Sequence, residues 1–335
     1  MILSEMGERR ILREIIPQFV EGVGDDCANL GLINGSAVIT TDPVPIPAAN
    51  VIGGDPDLFW MGWLLVTINA SDIAASGARP HSFVAALDLP GELKVAELER
   101  ILSGIKASCK ANGLKYVGGN LREATKIAAV GTAIGSVVNQ PLGRTGAKPG
   151  EILVLIGRGG NFWADAHRAL DGVKLDKTTS PLFSPLSQAN NVFRLHEAGL
   201  LTCAMDTSDG LAPTLSELAL VNKLAINIDL AALRAASFFP DVQVRAERLW
   251  MGWGDWAIVA AVKKDAMTRL ADISNKNNIP YTEIGEFAEG TSVRLVDGEA
   301  SIPMGRLESE RFAVDSWFTI GIQEYIKRLH EFALP

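Results

Sequence analysis

The chain has 335 residues, 47% of them hydrophobic, with 31 basic against 39 acidic side chains and a net charge of −8. That length suggests two domains at roughly 150 residues each, and an acidic chain without a basic stripe is a poor partner for a nucleic acid backbone. Three widely spaced cysteines, Cys27, Cys109 and Cys203, signal neither a disulfide framework nor a C-x-x-C metal or redox site, which fits a reducing cytosol.

In chain order, residues 2–16 carry apolar Ile2, Leu3, Ile11, Leu12, Ile15 and Ile16 at a helical rhythm that Pro17 stops. This opening mixes Glu5, Glu8 and Glu14 with Arg9, Arg10 and Arg13, which suits neither a secretory signal nor a transit peptide. Gly22-Val23-Gly24-Asp25-Asp26 then reads as a tight turn, and Ala37 to Thr41 as a buried strand that delivers Asp42 at its end. Pro43, Pro45 and Pro47 forbid regular pairing beyond it. A helix is predicted from Asp55-Pro56 to Gly77, with Asp55 as its N-cap. It is apolar nearly all round, so it is buried. Its stretch Leu58 to Ala70, the longest apolar one, is too short to span a bilayer, and no membrane association is expected.

Strands at Phe83 to Leu89, Lys115 to Val117 and Ile127 to Val138, with an amphipathic helix at Val95 to Asn112, complete a first domain. The loop Pro141 to Gly150 marks the boundary, giving domains of 1–142 and 143–335. Beyond it lie a strand at Ile152 to Ile156 and a polar stretch, Asp171 to Gln188, that reads equally as a lid or a surface excursion. A strand end then runs through Asp206-Thr207-Ser208-Asp209-Gly210 into a helix near Leu211. Helices and strands alternate, so the fold class is α/β or α+β.

No P-loop, protein-kinase signature or dinucleotide fingerprint is present. His81, His167, His196 and His330 form no H-E-x-x-H and neighbour no evident nucleophile. The residues that draw notice are aspartates at strand ends: Asp25, Asp26, Asp42, Asp72, Asp206 and Asp209. Converging carboxylates repel one another and raise their own pKa values, whereas Mg²⁺ takes oxygen ligands and bridges them to substrate phosphates. Each has a plainer reading as a turn or cap residue, and Asp206 or Asp209 alone can cap the helix at Leu211. Asp72 follows Asn69 by one helical step in an apolar helix, where an unpaired charge is costly, so a buried acid there wants a cation. Arg144, in a glycine-containing loop, can hold phosphate oxygens or stay solvated.

In order, Gly24-Asp25-Asp26-Cys27-Ala28, Thr41-Asp42, Asn69 to Pro80, Gly118-Gly119, Arg144 to Gly150 and Asp206 to Leu211 resemble one superfamily. Its members are thiamine-monophosphate kinase, aminoimidazole-ribonucleotide synthetase, the hydrogenase-maturation dehydratase and selenophosphate synthetase, and the kinase branch is nearest. The resemblance implies a two-domain AIR synthase-like fold whose N-terminal sheet forms a dimer barrel, followed by a C-terminal α/β domain. It also implies a cytoplasmic homodimer that binds ATP and Mg²⁺ and acts on a small-molecule acceptor. Asp25, Asp26, Asp42, Asp72 and Asp209 match its metal or phosphate positions, with Asp206 in the same motif. Thr41, Gly118, Gly119, Asn120, Ser208 and Arg144 fall on the nucleotide side, and Asp72, Asp209 and Arg144 at the reacting centre.

Three departures qualify the match. Asn120 stands where the kinases have the aspartate of Gly-Gly-Asp. Pro43 to Ala48 replaces a run carrying an acceptor-side histidine, and Gly252-Trp253-Gly254-Asp255-Trp256-Ala257-Ile258 replaces a Gly-Gly-Glu-Asp-Tyr-Glu-Leu-like run, leaving Asp255 as the one acid. Among the tryptophans of the second half, Trp317 is the candidate platform for an acceptor. Three readings follow: a phosphotransferase resembling thiamine-monophosphate kinase, its acceptor thiamine phosphate or another small molecule; a synthetase or dehydratase working through a phosphorylated amide or carboxyl oxygen; and a nucleotide-binding paralogue without turnover.

Overall fold

The computed structural model describes residues 1–20, 30–307 and 317–335. They divide into two compact units, Met1–Pro141 with Asp176–Asn190, and Leu142–Leu175 with Asn191–Pro335.

The N-terminal rhythm is realised in pieces: α1 (Leu3–Met6), α2 (Glu8–Arg10), a π turn at Ile11–Ile15 and a 3-10 turn at Ile16–Gln18. Pro17 has no N–H to continue the ladder, yet of the predicted face Leu3, Ile11, Ile15 and Ile16 are buried, while Ile2 is half-buried and Leu12 is exposed. There follow β1 (Ser36–Pro43), α3 (Ala48–Val51), α4 (Phe59–Ala75), β2 (Arg79–Leu89), α5 (Val95–Asn112), β3 (Lys115–Glu123) and β4 (Ala128–Val137). The sheet order is β1-β4-β2-β3, with β2 and β3 parallel and the other neighbours antiparallel.

β1 is not the buried strand expected. Val38, Thr40 and Asp42 are half-buried, while Ile39, 71% exposed, and Thr41 face the other way. An edge strand covered on one side alternates with period two, and a run of β-branched residues hides that alternation. α4 also starts later than predicted: Asp57 Oδ1 accepts from Phe59 N at 2.9 Å, and Asp55 Oδ2 accepts from Trp60 Nε1 at 2.7 Å instead of capping. The helix is buried nearly all round as its composition implies, with Leu65, Val66, Thr67, Asn69, Ala70 and Ser71 inside. β3 runs on past Val117 to Glu123.

The polar stretch after Asp171 resolves into a strap. From Asp176 it belongs to the first unit, where Trp63 Nε1 and Thr67 Oγ1 both donate to Pro185 O, at 2.8 and 2.9 Å. Phe183 packs edge-on against Trp60 with centroids 5.4 Å apart, and Ser187 donates twice to Asn112 Oδ1.

The second unit contains β5 (Ile152–Ile156), α6 (Asn161–Leu170), α7 (Ala189–Glu197, beginning in the strap), β6 (Leu201–Asp206), α8 (Leu211–Asn222), β7 (Ala225–Asp229) and α9 (Leu230–Ala236). α10 (Ala246–Met251), β8 (Ile258–Val262), α11 (Met267–Asn277), β9 (Tyr281–Ala288), β10 (Val293–Asp297), β11 (Ala300–Pro303), α12 (Trp317–Ile320) and α13 (Ile322–His330) follow. Its seven strands run in the order β11-β10-β7-β9-β5-β8-β6, and only β7 and β10 pair in parallel. All five residues of β8 are buried, as a central strand requires. Among the described residues no helix is long and apolar enough to cross a membrane.

Candidate functional site

In the first unit the site residues gather where β1 ends beside α4. Alternation along β1 turns Thr40 and Asp42 toward the helix, and the helical step from Asn69 to Asp72 places both of those residues against the strand. Thr40 Oγ1 donates to Asp72 Oδ2 at 2.5 Å, and the Asp42 backbone N–H donates to Asn69 Oδ1 at 3.1 Å. Asn69 is fully buried and anchored by its own Nδ2–H to Leu65 O at 2.8 Å. Space for it comes from Gly131 on β4, where an added Cβ would stand 2.5 Å from Asn69 Nδ2. Thr41, pointing the other way, donates through Oγ1 to Gly131 O at 2.8 Å.

Asp72 itself is half-buried, not the buried charge expected, because α4 brings it to the helix end where β1 supplies a hydroxyl. Thr40 is the residue that sequence reasoning missed; Thr40-Thr41-Asp42 held the signal, since residues two apart on a strand share a face.

The strand register settles how far the remaining first-unit positions lie from this corner. Asp42 pairs with Gly131, Gly131 with Ala85 and Ala85 with Gly119, so one row crosses all four strands, and Asn120 lies on the next row with Pro43, Val130 and Ala86. Neighbouring strands are ~4.8 Å apart, which puts the Gly119 row end about 14 Å from Asp42. Asn120 is exposed in a row shared with exposed Pro43, Val130 and Ala86, on the face turned away from α4. The first unit therefore unites Thr40, Asp42, Asn69 and Asp72 and leaves Gly118, Gly119 and Asn120 at the opposite edge. Gly119 is required there by close approach: a Cβ would fall 1.8 Å from Ala85 O.

In the second unit, Asp206 ends β6 and is buried, while Asp209 is exposed in the turn that follows. The turn is clamped on both sides. Thr207 N donates to Ala257 O at 2.9 Å, and Thr214 Oγ1 donates to Asp206 O at 2.8 Å and Gly210 O at 2.9 Å. Ser208 Oγ donates to Asp206 Oδ1 at 3.2 Å. Gly210 is the N-cap of α8, so neither aspartate occupies the cap position. Arg144 is 56% exposed with Glu217 Oε1 3.7 Å away, and its loop is tied by Asn222, which donates to Arg144 O at 2.8 Å and accepts from Gly146 N at 2.9 Å.

Asp255 does not stand in for a phosphate-side acid. Its carboxylate accepts from Gly160 N at 2.6 Å and Phe162 N at 2.9 Å, with Asn161 N as a third donor, and so caps α6 from a distance. Burial of that carboxyl pushes its pKa up to about 7 against the pull of these N–H groups.

Asp25, Asp26 and Cys27 lie outside the described residues, and of Trp317 only its place at the start of α12 is described. Among the described residues no three histidine, cysteine or acidic side chains gather as a metal site. Asp42 and Asp72 carry hard oxygen donors of the kind Mg²⁺ takes. Cys109 and Cys203 are buried free thiols whose pKa values burial raises, that of Cys203 to about 11, which leaves them unreactive.

The model for the AIR synthase related protein N-terminal domain matches residues 13–137, and that for its C-terminal domain matches 148–298. The chain belongs to the AIR synthase-related family. The thiamine-monophosphate kinase of Methanospirillum hungatei is 31% identical over 298 residues, 87% of this chain and 95% of that protein. That of Aquifex aeolicus is 25% identical, covering 91% of this chain and 99% of its own. The crystal structure of the Stenotrophomonas maltophilia enzyme has a TM-score of 0.69 at 26% identity, covering 84% and 92% of the two chains. The fold is thus the two-domain AIR synthase-related one, and within the family the chain is thiamine-monophosphate kinase-like.

Proposed function

We propose that this protein is an ATP- and Mg²⁺-dependent phosphotransferase of the thiamine-monophosphate kinase type whose small-molecule acceptor differs from thiamine monophosphate. The observation that carries the reading is the corner of Thr40, Asp42, Asn69 and Asp72, an acid held at a strand end by a hydroxyl and beside a buried amide. In this reading Asp25, Asp26, Asp42, Asp72, Asp206 and Asp209 hold Mg²⁺. Thr41, Gly118, Gly119, Asn120, Ser208 and Arg144 line the triphosphate, with Asp72, Asp209 and Arg144 nearest the transferred group.

Bound Mg²⁺ supplies charge neutralisation along the triphosphate. The protein's share is positioning. An acceptor oxygen attacks the γ-phosphorus in line, the bond to the β–γ bridging oxygen breaks and ADP leaves; a phosphate acceptor is already anionic, so no general base is needed. Thr40 fixes the Asp72 rotamer, and Asn69 fixes the backbone that presents Asp42.

An acceptor other than thiamine monophosphate is supported by Asn120 and by Pro43 to Ala48, which carries no histidine. Trp317 is the proposed acceptor platform. A homodimer is supported by the apolar outer face of the first-unit sheet, where Ile39 is 71% and Val130 41% exposed. Two domains divided at 142/143 and a cytoplasmic setting complete the proposal.

The test is ATP turnover with Mg²⁺ over a panel of small acceptors that includes thiamine monophosphate, with Asp72→Asn as control. A phosphorylated acceptor, lost in the variant, establishes the kinase. ADP with free phosphate favours the synthetase or dehydratase reading, and binding without turnover on any acceptor favours a non-catalytic paralogue, the reading that the neutral Asn120 supports.

A further inference from the structure

The second unit holds a titratable pair that the chemistry above does not use. His167, in the last turn of α6, and His330, the last residue of α13, stack with centroids 4.6 Å apart at 24°, and their Nε2 atoms are 2.8 Å apart. At that distance one nitrogen donates and the other accepts, so a single proton lies between them. A first added proton finds room on the donor ring's Nδ1. A second must go on the accepting Nε2, which turns the hydrogen bond into two N–H groups facing each other on two cations. We propose that His167 and His330 form a proton-sensitive latch that holds the C-terminal helix α13 on the second unit and releases it in mild acid.

The surroundings tune the latch in one direction. Both imidazoles are half-buried, and burial is the chief cause that lowers each below the ordinary 6.5; the neighbouring His330 adds to this for His167, and Arg248 of α10 for His330. Asp171, at the end of α6, opposes the effect on His167. Arg168 of α6 is already engaged by Asp165 and Asp241, and Lys327 and Glu331 beside His330 are exposed. With lowered values in the folded protein, the docked helix binds fewer protons than the released one. Docking is therefore strongest above about 6.5 and weakens as pH falls through the lowered values.

What the latch holds is substantial. α13 buries Tyr325 against Trp163, with ring centroids 5.6 Å apart, and Phe332 O beyond it accepts from Arg248 Nε at 2.9 Å. α12, with Trp317, leads directly into this helix, so release would loosen that segment as well.

Hydrogen exchange of the full chain, corrected for intrinsic rates, tests the latch by comparing α13 at pH 7.5 and pH 5.5. About a tenfold loss of protection in α13 at pH 5.5, with α8 and α11 unchanged, is expected; tenfold corresponds to one pKa unit of differential binding. His330→Gln keeps a hydrogen-bonding side chain that takes no proton, so the acid loss in α13 should shrink to the part that half-buried His167 alone contributes. Equal protection of wild-type α13 at the two pH values overturns the latch, as does the same acid loss in His330→Gln. If that variant fails to dock α13 at all, His167→Gln provides the reciprocal test and the wild-type comparison decides alone.

Discussion

Asp72 in the first unit and Asp255 in the second are both acids that draw notice in the sequence, and the structure gives them different partners. Asp72 is met by the hydroxyl of Thr40, at the open end of a strand and a helix. Asp255 is met by backbone N–H groups of the turn into α6, which have no other acceptor to hand. A hydroxyl can rotate and leave a carboxylate to a cation. Backbone donors at a helix start are fixed in place, so the acid they hold is part of the scaffold. Under the proposed function, the identity of the donors, more than the acid's place in a motif, separates a site residue from a cap.

The comparison breaks if the two acids respond alike to substitution. Asp72→Asn keeps an oxygen for Thr40 and removes the charge, so phosphoryl transfer should fall by about 10²-fold or more while stability changes by less than ~1 kcal/mol; steady-state assay and thermal melting together check this. Asp255→Ala should do the reverse. Leaving the N–H groups of Gly160, Asn161 and Phe162 without their acceptor should cost about 2–4 kcal/mol in denaturant unfolding, with the activity of the folded fraction within a few-fold of wild type.

Much of this was legible in the chain. The α5 span and the β5 strand match their patterns residue for residue, because an amphipathic helix and a short buried strand between loops each carry a single periodicity. The placement of Asp206 at a strand end before a helix at Leu211 was equally plain. What stayed hidden depended on partners distant in sequence. Nothing near Asp255 announces that its acceptor role is to Gly160 and Phe162, and nothing in Asp171 to Gln188 announces Trp63 and Thr67, which make the segment a strap. The separation of Asn120 from Asp42 likewise follows from strand order, which local pattern does not encode.

The pH dependence sharpens the contrast further. The folded-state pKa of Asp255 is raised from 3.8 to about 7, so the folded protein binds a proton there that the unfolded chain has already lost. Its contribution to stability is present below about 4 and is lost as pH rises toward 7. Unfolding free energy measured across this range should therefore decline with a component that Asp255→Asn removes, and that Asp72→Asn leaves in place. The histidine pair contributes with the opposite slope, which His330→Gln subtracts.

The smallest effect is expected from Asn120→Asp, which restores the carboxylate that the kinases carry. Asn120 is exposed at the sheet edge opposite Asp42, so stability should move by less than ~0.5 kcal/mol. If the acid at this position serves the metal, the Mg²⁺ concentration for half-maximal ATP turnover should fall by a factor of a few in the variant, since one more oxygen donor with charge is offered. If the metal requirement does not move, the side chain at position 120 does not serve the metal, which leaves Gly119 and Asn120, on neighbouring rows of the edge strand, to meet the nucleotide through their backbone. Asparagine in place of aspartate would then cost little, because a backbone contact does not depend on the side chain beside it.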